Sequence, residues 1–83
     1  MQSIEDVKNI LADTLNLGER KKFLNADSGL LGSMPELDSM AVINVISALE
    51  EHFDIVVEDD EISGRTFETL GSLAAFIDSK IAQ

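Results

Sequence analysis

Cysteine, tryptophan and tyrosine are absent from this 83-residue chain, and proline occurs once. Without cysteine there is no disulfide framework, no thiolate metal ligand and no thiol nucleophile. That usage fits a reducing cytoplasm, the expected compartment. Aromatics are only 5% of the chain, so a core has to come from Ile, Leu, Val, Ala and a few Phe. Basic residues are scarce as well. Six Lys and Arg stand against sixteen Asp and Glu, a formal net charge of −10. Phosphate backbones need a basic face, so no nucleic acid partner is expected. No apolar run approaches the roughly 18 residues of a membrane span. MQSIEDVKNI lacks a charged segment followed by an apolar run, so no secretory signal is expected.

What is present points to one small domain over residues 1–83, expected to be a monomer. Such a chain has a limited core and little stability to spare. Its acidity is uneven. Glu50, Glu51, Asp54, Glu58, Asp59, Asp60 and Glu61 fall in a stretch that contains no Lys or Arg. Partners with basic patches are expected, steered by long-range attraction.

Three amphipathic segments predict helices. In the first, Ile4, Val7, Leu11 and Leu15 recur at helical spacing, with Ile10 beside them. Ser3 and Asp6 resemble a capping box at its start, and Leu17-Gly18 is expected to close it. Residues 18–37 read mainly as loop, with a possible helical turn over 20–24. Phe23, Leu24, Leu30, Leu31 and Leu37 are expected to pin this loop to the core. A loop of this length in a compact domain is often functional. The second helix is predicted from about Ser39 to Phe53. Its stripe is Val42, Ile43, Ile46, Leu49 and Phe53, with Val45 at the margin. Residues 54–57 read as an extended connector, and 59–63 as a short helix or turn. The last helix follows Thr69, an expected N-cap, with Leu70, Leu73, Ala74, Ile77 and Ile81 inward. The fold class expected is all-α: a small four-helix bundle of three main helices and one short one, with a long loop between the first two main helices.

Asp38-Ser39-Met40 lies where that loop enters the second helix. The first amides of a helix lack intrahelical partners and its dipole favours negative charge, so a phosphate is well placed there. The plainer reading is that Asp38 or Ser39 only caps the helix. Ser28 sits in a second Asp-Ser pair, but Gly29 follows and no amphipathic helix does, so a turn is expected. Ser33 has no acidic neighbour. Ser47 lies inside the second helix.

The chain resembles the acyl carrier proteins. The carriers of the resemblance are Leu37-Asp38-Ser39-Met40, then Ala48-Leu49-Glu50-Glu51-His52-Phe53-Asp54, then Phe67-Glu68-Thr69-Leu70 through Ala74-Ala75-Phe76-Ile77. The resemblance implies that Ser39 bears 4′-phosphopantetheine, transferred covalently from coenzyme A by a carrier-protein synthase (a phosphopantetheinyl transferase) that uses Mg²⁺. It implies that acyl groups ride on the thiol of that arm, which supplies what the cysteine-free chain lacks. Asp38 is then a metal-binding residue in the synthase complex. Acyl-transfer and acyl-modifying enzymes are the further partners, docking by basic patches on Met40, Glu50, Glu51, Asp59, Asp60 and Glu61. Glu36, Met40, Ala41 and Asn44 depart from the family, where Gly, Leu and acidic residues respectively are common, and this fits a specialised carrier with a dedicated partner set.

Three other functions compete. A plain helical interaction module explains the charge and the bundle but not the placement of Ser39. Asp59, Glu61, Ser63 and Gly64 match the early positions of an EF-hand-like calcium loop, yet its twelfth position is Leu70 instead of Glu. An enzyme would need a nucleophile near His52, and none lies near it in sequence.

Overall fold

The computed structural model describes residues 3–82 other than Leu31, Ser33 and Glu36, and excludes the side chain of Asp59. The expectations for Leu31 and Ser33 therefore lie outside the described residues. Among the described residues three α-helices form: α1 Ile4–Leu15, α2 Ser39–Phe53 and α3 Leu70–Ile81. Two 3-10 helices, Gly18–Phe23 and Asp59–Glu61, interrupt the connections. The short helix expected near residue 59 is thus a single 3-10 turn. α1 packs against both α2 and α3.

α1 buries Val7, Leu11, Ala12 and Leu15. Its start differs from the expected capping box, because the Ser3 side chain makes no cap bond. Ser3 is buried against α3, and a buried hydroxyl needs a partner. Its hydroxyl donates to Asp78 Oδ1 at 2.6 Å, and its amide donates to the same oxygen at 3.1 Å. The end of α1 also differs. Asn16, rather than Gly18, is the left-handed cap at φ 55°, and Leu17 N–H closes onto Ala12 O at 3.0 Å. Asn tolerates that conformation, so this is a normal stop.

α2 has the predicted bounds but a rotated core face. Val45, Ile46 and Leu49 are buried, while Ile43 is 57% exposed. Val42, Val45, Ile46 and Leu49 follow the i, i+3, i+4, i+7 pattern, and Ile43 lies off it. Val42 and Phe53 are half-buried at the edges. Asp54 ends the helix in the left-handed region at φ 55°. Beyond it Val57 turns inward and Val56 outward, as an extended connector would place them. α3 buries Leu70, Gly71, Leu73, Ala74 and Ile77, and its stripe ends before Ile81, which is exposed.

The loop between α1 and α2 is held to the start of α3. Leu24, Leu30 and Leu37 are buried as expected. Phe23 is not: it is 72% exposed, because the 3-10 turn carries it outward under Lys22, whose Nζ lies 5.4 Å from the ring centroid. Ser28 accepts the Asn25 amide with its hydroxyl, as a turn residue. Leu30 N–H donates to Glu68 O at 3.0 Å, and Gly29 and Thr69 form an antiparallel bridge. Phe67, the largest fully buried side chain, anchors this junction.

Candidate functional site

The loop delivers Asp38 to the start of α2 in an extended conformation, φ −96° and ψ −174°. Asp38 Oδ1 accepts the Ala41 amide at 2.8 Å, and its carbonyl accepts the Val42 amide at 2.9 Å. So Asp38 does the capping. Ser39 is exposed, and its hydroxyl has no hydrogen bond among the described residues. The amides of Ser39 and Met40 have no intrahelical acceptor. A nucleophilic hydroxyl group thus stands beside two open N–H donors at the positive end of a fifteen-residue helix. An anionic group linked at this point would meet those donors without displacing a protein contact.

The predicted docking residues do not form one cluster. Met40 lies beside Ser39 and is 67% exposed. Ile43, one turn on, is also exposed, so the two make an apolar pair next to the serine. Sequence reasoning placed Ile43 in the core; its position off the i, i+3, i+4, i+7 pattern was the available signal. The acids sit at the far end of α2 and beyond, and they split by what they touch. Glu50 Oε2 accepts the Val57 amide at 2.9 Å, tying the connector to the helix. Glu61 faces Lys80 Nζ at 2.9 and 3.1 Å and accepts the Glu58 amide at 2.9 Å. The Glu58 amide first, then Lys80, holds the Glu61 carboxyl below the usual value. Glu51 and Asp60 are exposed, and the side chain of Asp59 lies outside the described residues.

The calcium reading fails on the same geometry. Glu61 is committed to Lys80, and Leu70 is buried as the first residue of α3. Among the described residues no group of His, Asp and Glu could hold a metal ion. His52 lies 3.9 Å from Asp6 Oδ2 and meets Phe53 edge-on at 4.7 Å between ring centroids. No helix among the described residues is long and apolar enough to cross a membrane.

A three-helix body with a free serine at an anion-accepting helix start is the build of a small carrier. Residues 5–77 match the family described as a phosphopantetheine attachment site. The acyl carrier protein of Sulfurovum sp. (strain NBC37-1) is 30% identical over 79 residues, 95% of this chain and 99% of that protein. The solution NMR structure of a holo acyl carrier protein from Nitrosomonas europaea is similar over 100% of both chains, with a TM-score of 0.92 and 66% identity. The chain belongs to the phosphopantetheine-bearing acyl carrier proteins. It is a carrier and not an enzyme, and the group it bears is covalently attached phosphopantetheine. Carriers of this family work with enzymes such as synthases and transferases.

Proposed function

We propose that Ser39 is the residue to which a carrier-protein synthase transfers 4′-phosphopantetheine from coenzyme A. The observation that carries this reading is the start of α2, where Asp38 caps the helix and leaves the Ser39 hydroxyl and two amides open. When attached, the arm supplies a terminal thiol on which acyl groups ride as thioesters. The residues of the chain do the rest. Ser39 provides the oxygen that is linked. The amides of Ser39 and Met40 would meet the negative charge of the attached group. Asp38 uses one carboxylate oxygen for its cap and keeps the other as a hard donor for Mg²⁺ in the synthase complex. Mass spectrometry after incubation with synthase and coenzyme A tests the assignment. Wild type should gain one arm and Ser39→Ala none. Modification that persists in Ser39→Ala, or appears at Ser28, overturns it.

The carrier is then a cytoplasmic monomer that presents acyl intermediates of fatty acid, polyketide or related biosynthesis to enzymes with basic docking patches. Met40 and Ile43 supply the apolar contact, and a flexible thioether adapts to several surfaces. Glu51, Asp60 and their acidic neighbours supply the attracting field, which acts mainly on association rate. Glu50 and Glu61 contribute less, since both carboxylates are already engaged within the chain. Met40→Ala should load normally yet slow acyl transfer with a cognate enzyme. Wild-type transfer by that variant would place the docking surface elsewhere.

A further inference from the structure

The chain has three methionines and no cysteine, so all of its own sulfur is thioether. Met34 is half-buried and packs against the core. Met40 is 67% exposed, on the first turn of α2 directly after Ser39. Ile43, one turn on, is 57% exposed. From Ser39 to Leu49 the sequence carries no charged residue. Besides Ser39, the exposed positions on this stretch are Met40, Ile43, Asn44 and Ser47. A contact made here therefore rests on the apolar pair, with no ion pair to offset a change in its polarity.

We infer that Met40 is a sulfoxidation site, and that its oxidation by a hydroperoxide switches off the apolar contact beside Ser39. In that step a sulfur lone pair attacks the terminal oxygen of the peroxide. An S–O bond forms as the O–O bond breaks, so the sulfur is oxidised and the peroxide reduced. The proton passes to the departing oxygen, which leaves as water or an alcohol. Methionine sulfoxide is polar and chiral where the thioether is flexible and apolar. Its oxygen carries negative charge. A long side chain on a helix leans back toward the helix start, where the dipole and the open amides favour that charge. The reverse step takes a dithiol reductase: the thiols become a disulfide and the oxygen leaves as water. The effect on partners rests on the proposed role of Met40 in docking, whereas the site of oxidation does not.

The test treats the full chain with hydrogen peroxide before the arm is attached. The peroxide is then removed, the chain is carried to full conversion with synthase and coenzyme A, and acyl transfer with a cognate enzyme is timed. Peptide mass mapping should find oxygen uptake at Met40 at least about 3-fold faster than at Met34, in line with exposure. The oxidised chain should melt as the untreated one does, because Met40 lies outside the core. It should transfer about 3- to 10-fold more slowly, the scale of one lost apolar contact. Methionine sulfoxide reductases for both epimers should restore the rate. Met40→Leu, whatever its own rate, should transfer equally with and without peroxide. Equal oxidation of Met34, a lowered melting temperature, or the same loss in treated Met40→Leu overturns the inference. Undiminished transfer by the oxidised wild type beside a slowed Met40→Ala overturns it and leaves the docking reading intact. If neither is slowed, the docking reading falls and the inference falls with it.

Discussion

Asp38 and Thr69 cap α2 and α3 by the same device. Each accepts, with a side-chain oxygen, the amide three residues on: Ala41 at 2.8 Å and Ser72 at 3.0 Å. The two helix starts differ in the amides that the caps leave over. At α3 the loop takes both, with Leu70 N–H on Ser28 O at 2.9 Å and Gly71 N–H on Ala26 O at 2.8 Å. The Ser72 hydroxyl also accepts the Thr69 amide, which completes a capping box. At α2 the amides of Ser39 and Met40 have no intrahelical acceptor, and both residues are exposed. One stretch of chain therefore does two jobs. It closes one helix start against anions and delivers another that is open to them. An Asp or Thr cap says where a helix begins; the loop decides whether that beginning can receive a phosphate.

The strongest way to break this contrast is at Gly71. A Cβ there would sit 2.8 Å from Ala26 O and 3.3 Å from Ala26 Cβ. Overpacking of this kind costs about 1–3 kcal/mol. The intrinsic helix gain of Gly to Ala is at most about 1 kcal/mol, so the clash should win. Gly71→Ala is expected to melt below wild type, while the nearby Gly64→Ala, with open space around it, should not. A Gly71→Ala protein as stable as wild type would show that the loop does not seal α3 closely.

The caps come next in size. Asp38→Ala and Thr69→Ala should each cost about 1 kcal/mol in denaturant unfolding. Only Asp38→Ala should also slow synthase modification, because only that residue both caps the start of α2 and offers a donor to Mg²⁺ in the synthase complex. Equal slowing by Thr69→Ala would erase the distinction between the two starts.

The smallest effect is expected at the connection between the helices, in Glu61→Gln. The folded-state pKa of Glu61 lies below the ordinary 4.5, through the Glu58 amide and Lys80. A depressed carboxyl contributes stability that is complete above the unfolded value and disappears as pH falls through the folded one. The melting-temperature difference between wild type and Glu61→Gln should therefore be small near neutrality, since the pair is partly solvated, should begin to shrink below pH 4.5, and should vanish once the pH has fallen through the lower folded-state value. A difference that grows as the pH falls would contradict that sign.

Much of this was legible in sequence because it is local. The bounds of α2 followed from Asp38 and from the apolar spacing up to Phe53, and the Thr69 cap from its position before Leu70. The errors fall where a distant partner decides. Ser3 looked like a cap, but Asp78, across the bundle, claims its hydroxyl. Val45 and Ile43 are both β-branched and two residues apart, and the 42, 45, 46, 49 spacing that favours Val45 competes with an equally apolar run through Ile43 until the packing of α1 settles which one points inward. Phe23 is apolar yet exposed, because the 3-10 turn sets its direction. The residues that close α3, Ala26 and Ser28, act through backbone carbonyls, which any side chain would carry equally well. That Ser39 opens α2 was legible. That its neighbouring amides stay open was not.

Amide chemical shifts before and after attachment of the arm test the central claim most directly. With ¹⁵N-labelled chain converted by synthase and coenzyme A, the largest changes should fall on Ser39 and Met40, whose N–H groups meet the new phosphate. Leu70 and Gly71, already bonded to the loop, should barely move. A full mass gain accompanied by shifts centred on Ser28 or on the start of α3 would contradict the account.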